Sequence, residues 1–431
     1  MITVTASARR WRLRARIGLF AAGCLAVPAL PTASFAGAVP AGTPEAVGLS
    51  SERLQRVSEV VRKHIEAGDV AGAVTLVARR GKIAHFEAQG FADIESRTPM
   101  RTDNIFRLAS MSKPVVAVAI MQLVEEGAVR LADPVAQFIP EFADLDEVAV
   151  PKPSGPEGAY DLVDAARPIT IRDLLTHGSG LASGGLGARV ANERAPRTPQ
   201  DTLATYIPKL AAVPLDFQPG TLWRYSGLAG FDVLSRIVEV VSGQTFDEFL
   251  EDRLFAPLRM PDTGFHFADD DRARRVATIY ARTPEGRLQP NPQQQLNNVY
   301  SSGAGGLATT AEDYLQFGQM LLNGGELDGR RYLGPRTIDF MTANHTGDMV
   351  NGQFGRPARG MGFGLGMQVV LDPVAADLAV SEGAFGWPGG SGVSFWIEPA
   401  EEMVTLYMIQ GGSGAALRRA FESAVRQAIV D

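Results

Sequence analysis

Ser110-Met111-Ser112-Lys113 is where this sequence concentrates its chemistry. A serine and a lysine three residues apart share one face of a helix. A serine hydroxyl is a poor nucleophile at neutral pH and needs a base close by. A lysine amine can be that base if burial lowers its pKa. Pro114 follows directly, and proline is tolerated only in a helix's first turn, so the helix is expected to start near Ser110. The free N–H groups and positive dipole end of that helix would then face an oxyanion formed at the serine. The bland alternative is a chance S-x-x-K. Against it, the lysines stand at 63, 82, 113, 152 and 209, and only Lys113 has a serine three before it. Lys113 also opens an apolar run, Pro114 to Gly127, a costly place for a bystander charge. Ser112 is a second hydroxyl, but it points elsewhere around the helix.

Other nucleophile and metal patterns fail. There is no G-x-S-x-G elbow; Gly411-Gly412-Ser413-Gly414-Ala415 is a near miss. Histidines 64, 85, 177, 266 and 345 are scattered, with no H-E-x-x-H or H-x-H pair, so no metal site is expected. His177 reads as a histidine satisfying backbone groups at a helix end.

The first 16 residues carry Arg9, Arg10, Arg12, Arg14 and Arg16 and no acid. An apolar run to about Leu30 and the small residues around Ser34-Phe35-Ala36 follow, which is the order of an export signal, with a twin-arginine flavour at Arg9-Arg10. Pro28 and Pro31 break the run, so a membrane anchor is the weaker reading. The single cysteine, Cys24, lies inside this segment, and cleavage after Ala36 would exclude disulfides and thiol catalysis. Losing five arginines takes the formal charge from −7 to −12. An acidic surface repels phosphate backbones and argues against nucleic acid as a partner. No later apolar run is long enough to span a bilayer.

Local patterning supplies the scaffold. Leu54, Val57, Val60, Val61 and Ile65 recur at helical spacing over 51–67. Residues 71–79 and 82–91 read as strands joined by a turn at Arg80-Gly81. Helices are expected at 114–127, from 171, at 231–242, 311–323 and 415–429, and strands at 361–371, 392–398 and 403–410. The Gly-, Pro- and Arg-rich loop 183–200 is long enough to be functional. Strands at both chain ends with helices between them predict an α+β fold, whose sheet is assembled from the two ends. The expected organisation is a signal at 1–36, an α/β domain of 37–105 and 295–431, and a mostly helical insertion of 106–294.

The segment Phe106-Arg107-Leu108-Ala109-Ser110-Met111-Ser112-Lys113 resembles the nucleophile segment of class C beta-lactamases, D,D-peptidases and family VIII esterases, within the serine beta-lactamase and penicillin-binding-protein superfamily. The resemblance continues through 171–181, Pro219-Gly220, Trp223-Arg224-Tyr225-Ser226, 257–260, 302–313 and 385–399, in order across nearly all of 45–431. It implies a beta-lactamase-like fold with the active site between the sheet domain and the insertion.

It also implies site residues. The family's Tyr-x-Asn stands here as Tyr225-Ser226-Gly227, so Tyr225 would share a proton with Lys113 and help deprotonate Ser110. A neighbouring ammonium would favour its phenolate. The asparagine that contacts the substrate amide is replaced by Gly227. The family's Lys/His-Thr/Ser-Gly stands as Trp387-Pro388-Gly389, an indole in place of the lysine that would hold a beta-lactam carboxylate. That change favours an apolar or aromatic group, and family VIII esterases often carry Trp-x-Gly there. Pro388 is expected on an edge strand. The oxyanion donors would be the N–H groups of Ser110 and Gly390.

The expected function is a secreted or periplasmic serine hydrolase that cleaves small-molecule carboxylic esters through an acyl-enzyme, without cofactor. The alternatives are a beta-lactamase or D-amino-acid peptidase or amidase, and a non-catalytic ligand-binding protein on the same fold.

Overall fold

Gly72–Arg79 (β1) is buried at every position. Val74, Leu76 and Ala78 join one apolar cluster, and Ala73 and Val77 join another. This is the period-two alternation of a strand covered on both faces. The chain returns as Lys82–Asp93 (β2). Arg80 and Gly81 between them have φ of 49° and 69°, the left-handed pair that a two-residue hairpin requires. The computed structural model describes residues 39–267, 271–291, 299–350, 359–411 and 414–431. The export signal expected at 1–36, with Cys24, lies outside the described residues.

Thr98–Pro99 (β3) pairs with β2, and Phe106–Arg107 (β4) pairs separately with Ala308–Thr309 (β5). Met361–Phe363 (β6), Gln368–Val370 (β7), Phe385–Pro388 (β8), Ser394–Glu398 (β9) and Met403–Met408 (β10) complete the strands that matter here. The main sheet has eight strands in the order β6-β7-β8-β9-β10-β1-β2-β3, all neighbours antiparallel. Residues 72–99 and 361–408 therefore build one sheet from both ends of the chain, and the fold is α+β, as the element order predicts.

Helices cover the sheet on both sides. Ser51–Glu66 (α1) starts where the Ser50 hydroxyl accepts the Arg53 N–H. Its Leu54, Val57 and Val61 pack with Leu417, Phe421 and Val425 of the closing C-terminal helix. Lys113–Glu125 (α2) is buried from Lys113 to Leu123, and Ala229–Ser242 (α3) packs beside it. Ala311–Leu322 (α4) lies on the other sheet face against β1, β9 and β10. The C-terminal helix, Gly414–Arg426 (α5), packs on α1.

Two local expectations change. The run 361–371 is two strands, because Gly364 to Gly366 docks its backbone on neighbours: Leu365 N–H donates to the Met341 carbonyl and Gly366 N–H to that of Leu175. A Cβ on Gly364 would come within 2.2 Å of the Met341 carbonyl oxygen. The middle of the chain also holds hairpins, Glu147–Pro151 with Tyr160–Asp164 and Tyr280–Arg282 with Leu288–Pro290, beside its helices. Among the described residues, no helix is long and apolar enough to cross a membrane.

Arg79 ties the two chain ends to the sheet. Its buried guanidinium donates to the carbonyls of Val47, Gly48 and Asp431 and pairs with Glu401. Arg79→Met is expected to cost about 3 kcal/mol, because buried carbonyls lose a charged donor. Urea unfolding measures it; a loss under 0.5 kcal/mol would contradict this account.

Candidate active site

Ser110 is carried by a 3-10 turn, Ala109–Ser112, and the α-helix proper begins at Lys113. Helical winding thus begins near Ser110, as expected, but its first turn is 3-10. Pro114 occupies the first helical turn, and tighter winding takes up the residues before it. In a 3-10 turn, residues three apart eclipse, so Ser110 and Lys113 still face one another. Ala109, immediately before the serine, has φ of 45°, a left-handed conformation costly for a residue with a Cβ. It is held there by its neighbours. The Leu108 N–H donates to the Leu307 carbonyl at 2.8 Å, and the Arg107 carbonyl accepts from the Ser391 hydroxyl at 2.5 Å and the Gln410 amide at 3.3 Å.

Lys113 is fully buried. Its Nζ donates to the carbonyls of Gly227 at 2.8 Å and Ala304 at 2.7 Å, and lies 3.4 Å from Ser110 Oγ. Burial drives its pKa down to about 7, partly opposed by the charge of Asp232. Two of three ammonium protons are thus held by fixed carbonyls, and the third is directed at the serine. Tyr225 donates its hydroxyl to the same Ser110 Oγ at 2.5 Å.

The charge state of Tyr225 differs from the sequence expectation. Burial raises its pKa, and the contacts with Ser110 and Trp387 only partly offset this. Lys113 Nζ sits over the ring, 5.0 Å from its centroid. Tyr225 is therefore a neutral phenol at neutral pH.

The tyrosine is seated among aromatic side chains. His177 lies 4.6 Å from its ring and Trp387 5.6 Å; Phe363 packs on both. His177 accepts the Ser226 N–H at Nδ1, and its own carbonyl accepts the Arg224 N–H. It is buried and held neutral by desolvation and by the Lys113 charge. Ser112 is also buried, its hydroxyl accepting the Leu307 N–H. It anchors backbone and is not open to substrate.

Strand β8 brings Trp387, Pro388 and Gly389 to the serine turn. A Cβ on Gly389 would lie 2.0 Å from the Leu108 carbonyl oxygen, so glycine is what lets the strand approach the nucleophile segment. The expectation of an edge strand at Pro388 is corrected: β8 lies between β7 and β9. However, β7 pairs only with Phe385 and Gly386, so Trp387 and Pro388 run past its end and no ladder bond is lost there. Gly390 is exposed, and a Cβ on it would meet nothing within 4 Å. The N–H groups of Ser110 and Gly390 have no protein acceptor among the described residues. Gly227 leaves room as well; a Cβ there would meet only Tyr225 Cε1, at 4.0 Å. Leu228, next to it, is 62% exposed.

Sequence reasoning missed the Ala304 carbonyl and Asp232. A buried acid in the apolar stretch around Phe231 and Val233 was the available signal for the latter. No group of three or more metal-ligating side chains occurs among the described residues.

The family model for beta-lactamase matches residues 57–428. Protein Rv1367c of Mycobacterium tuberculosis is 36% identical over 364 residues, covering 81% of this chain and 88% of that protein. Esterase EstB of Burkholderia gladioli is 32% identical over 385 residues, covering 83% and 90%. The solved structure of EstCE1, described as a hydrolase with promiscuous acyltransferase activity, superposes with a TM-score of 0.71 at 27% identity, covering 88% of this chain and 99% of that one.

Gly389→Ala should push β8 away from Leu108 and lower kcat/KM by about 10²-fold, the usual penalty for misplacing reacting groups by an ångström. Steady-state kinetics with circular dichroism checks this. Undiminished activity would show that the close approach is not needed.

Proposed function

Because this chain belongs to the beta-lactamase family and is a serine hydrolase, we propose that it cleaves carboxylic esters through an acyl-enzyme on Ser110. The observation that carries the mechanism is Ser110 Oγ set between Lys113 Nζ and the Tyr225 hydroxyl. Neutral Lys113 takes the Ser110 proton as Oγ attacks the ester carbonyl. The carbonyl electrons move to its oxygen, where the N–H groups of Ser110 and Gly390 receive the negative charge. Losing one such donor typically costs about 3 kcal/mol of barrier. The intermediate collapses, the bond to the alcohol breaks, and the departing alkoxide takes the Tyr225 proton, while Lys113 keeps the proton it took from Ser110. Water then gives a proton to the Tyr225 oxygen as it attacks the acyl carbon, and Ser110 Oγ leaves with the Lys113 proton, which releases the acid and restores both groups.

The preference for esters rests on Trp387 and Gly227. An indole packed against Tyr225 stands where the resemblance places an anion-holding lysine, and no side chain replaces the amide-binding asparagine. Exposed Leu228 beside Gly227 adds apolar surface suited to an uncharged substrate. EstB, at 32% identity, is named an esterase. Export through the signal at 1–36, with cleavage after Ala36, belongs to the same reading; N-terminal sequencing of the periplasmic or secreted protein tests it.

The experiment compares kcat/KM for a short p-nitrophenyl ester with that for a chromogenic cephalosporin, with Ser110→Ala as background. The ester is expected to be preferred by at least about 10²-fold, the scale on which one missing charged contact discriminates. A cephalosporin preference would overturn the ester reading, and no labelling by a fluorophosphonate would favour a binding protein.

The pH profile has a predicted sign. Lys113 acts as a base only when neutral, so kcat/KM should rise with pH through about 7 and level off above it. A profile flat from pH 5 to 9 would exclude Lys113 as the base.

A further inference from the structure

Asp232, on α3, is a buried carboxyl group that accepts from three donors. Its Oδ1 accepts the Ser302 hydroxyl at 2.7 Å and the Ala304 N–H at 3.0 Å, and its Oδ2 accepts the Tyr300 hydroxyl at 3.0 Å. A backbone N–H can only donate, and two donors converge on one oxygen, so the arrangement suits an anion. The Ala304 peptide that gives its N–H to Asp232 gives its carbonyl to Lys113 Nζ at 2.7 Å. One peptide unit thus spans a buried anion and a buried cation.

We propose that Asp232 is a positioning residue for Lys113: it fixes the Ala304 peptide that orients the ammonium, and it supplies the opposite charge that this enclosed cation otherwise lacks. The inference rests on Lys113 being the base of the proposed reaction. No other charge among the described residues raises the pKa of Lys113. Burial raises the Asp232 pKa on balance; the three donors and the lysine oppose that rise and favour the ionised form. The groups facing Asp232 are Lys113 from α2 and Tyr300 from the segment before β5. Tyr206 and Arg197 lie beyond Tyr300, with the Arg197 guanidinium 3.6 Å from the Tyr300 ring centroid. Tyr225 and His177 face Lys113. Arg197 belongs to the loop 183–200, so that loop reaches the lysine through Tyr300 and Asp232.

Removing the anion favours neutral Lys113. The pH at which Ser110 becomes reactive should therefore fall in Asp232→Asn. The test is the rate of Ser110 labelling by a fluorophosphonate from pH 5 to 9 in the full chain, which needs no knowledge of the natural substrate. The acidic limb is expected to move down by about one pH unit, the lower end of what a close opposite charge contributes. A limb left at the wild-type position, whatever the amplitude, would mean that Asp232 is only structural, and an upward shift would contradict the sign. Tyr300→Phe removes one of the donors that favour the ionised form of Asp232, so the carboxyl carries less charge and a smaller downward shift is expected. If Asp232→Asn does not fold, Tyr300→Phe decides alone, and an unmoved limb there overturns the proposal. Absence of labelling in the wild type at every pH would sink the hydrolase chemistry itself, which is a different failure.

Discussion

The enclosure of the Lys113 ammonium is the constraint around which the rest of the molecule is arranged. Moving a lysine's titration from 10.5 to about 7 corresponds to roughly 5 kcal/mol in favour of the neutral amine. Two carbonyls, from Gly227 and Ala304, are brought to the nitrogen, and Asp232 stands behind one of them and opposes the shift. These partners come from widely separated parts of the chain. Assembling them is what the helical middle and the Gly-rich turn before β5 do together.

Serine placement follows from the same assembly. The β4–β5 pairing seats the turn that holds Ser110, and the Ser391 hydroxyl and Gln410 side chain lock Arg107 from the sheet side. Gly389 removes the one Cβ that would keep β8 from Leu108. A left-handed Ala109 is the local strain that this arrangement sustains. The nucleophile is thus defined by long-range contacts, which fits its place on a short 3-10 turn instead of inside a helix.

Much of this was legible in the sequence. The alternation of β1, the Arg80-Gly81 turn and the amphipathic α1 have local causes, and they were readable to within a residue or two. Ser110 and Lys113 were visible because a lysine opening an apolar helix is anomalous, and Tyr225 and Trp387 because the resemblance marks them. What escaped was set by tertiary packing. The 3-10 start depends on Pro114 and on the Leu307 carbonyl. The splitting of 361–371 depends on the carbonyls of Leu175 and Met341. The raised pKa of Tyr225 depends on burial outweighing its contacts with Ser110 and Trp387, which only the fold brings together. Asp232 was hidden because its partners, at 300, 302 and 304, are far away in sequence.

The most direct test of the account is to look for the covalent intermediate. The protein would be mixed with a slowly deacylating p-nitrophenyl ester, quenched in acid within the burst, digested and analysed by mass spectrometry. The account predicts one acyl group, carried on the peptide containing Ser110 and fragmenting to that residue. An unmodified Ser110 peptide during active turnover, or an acyl group on another side chain, would contradict it.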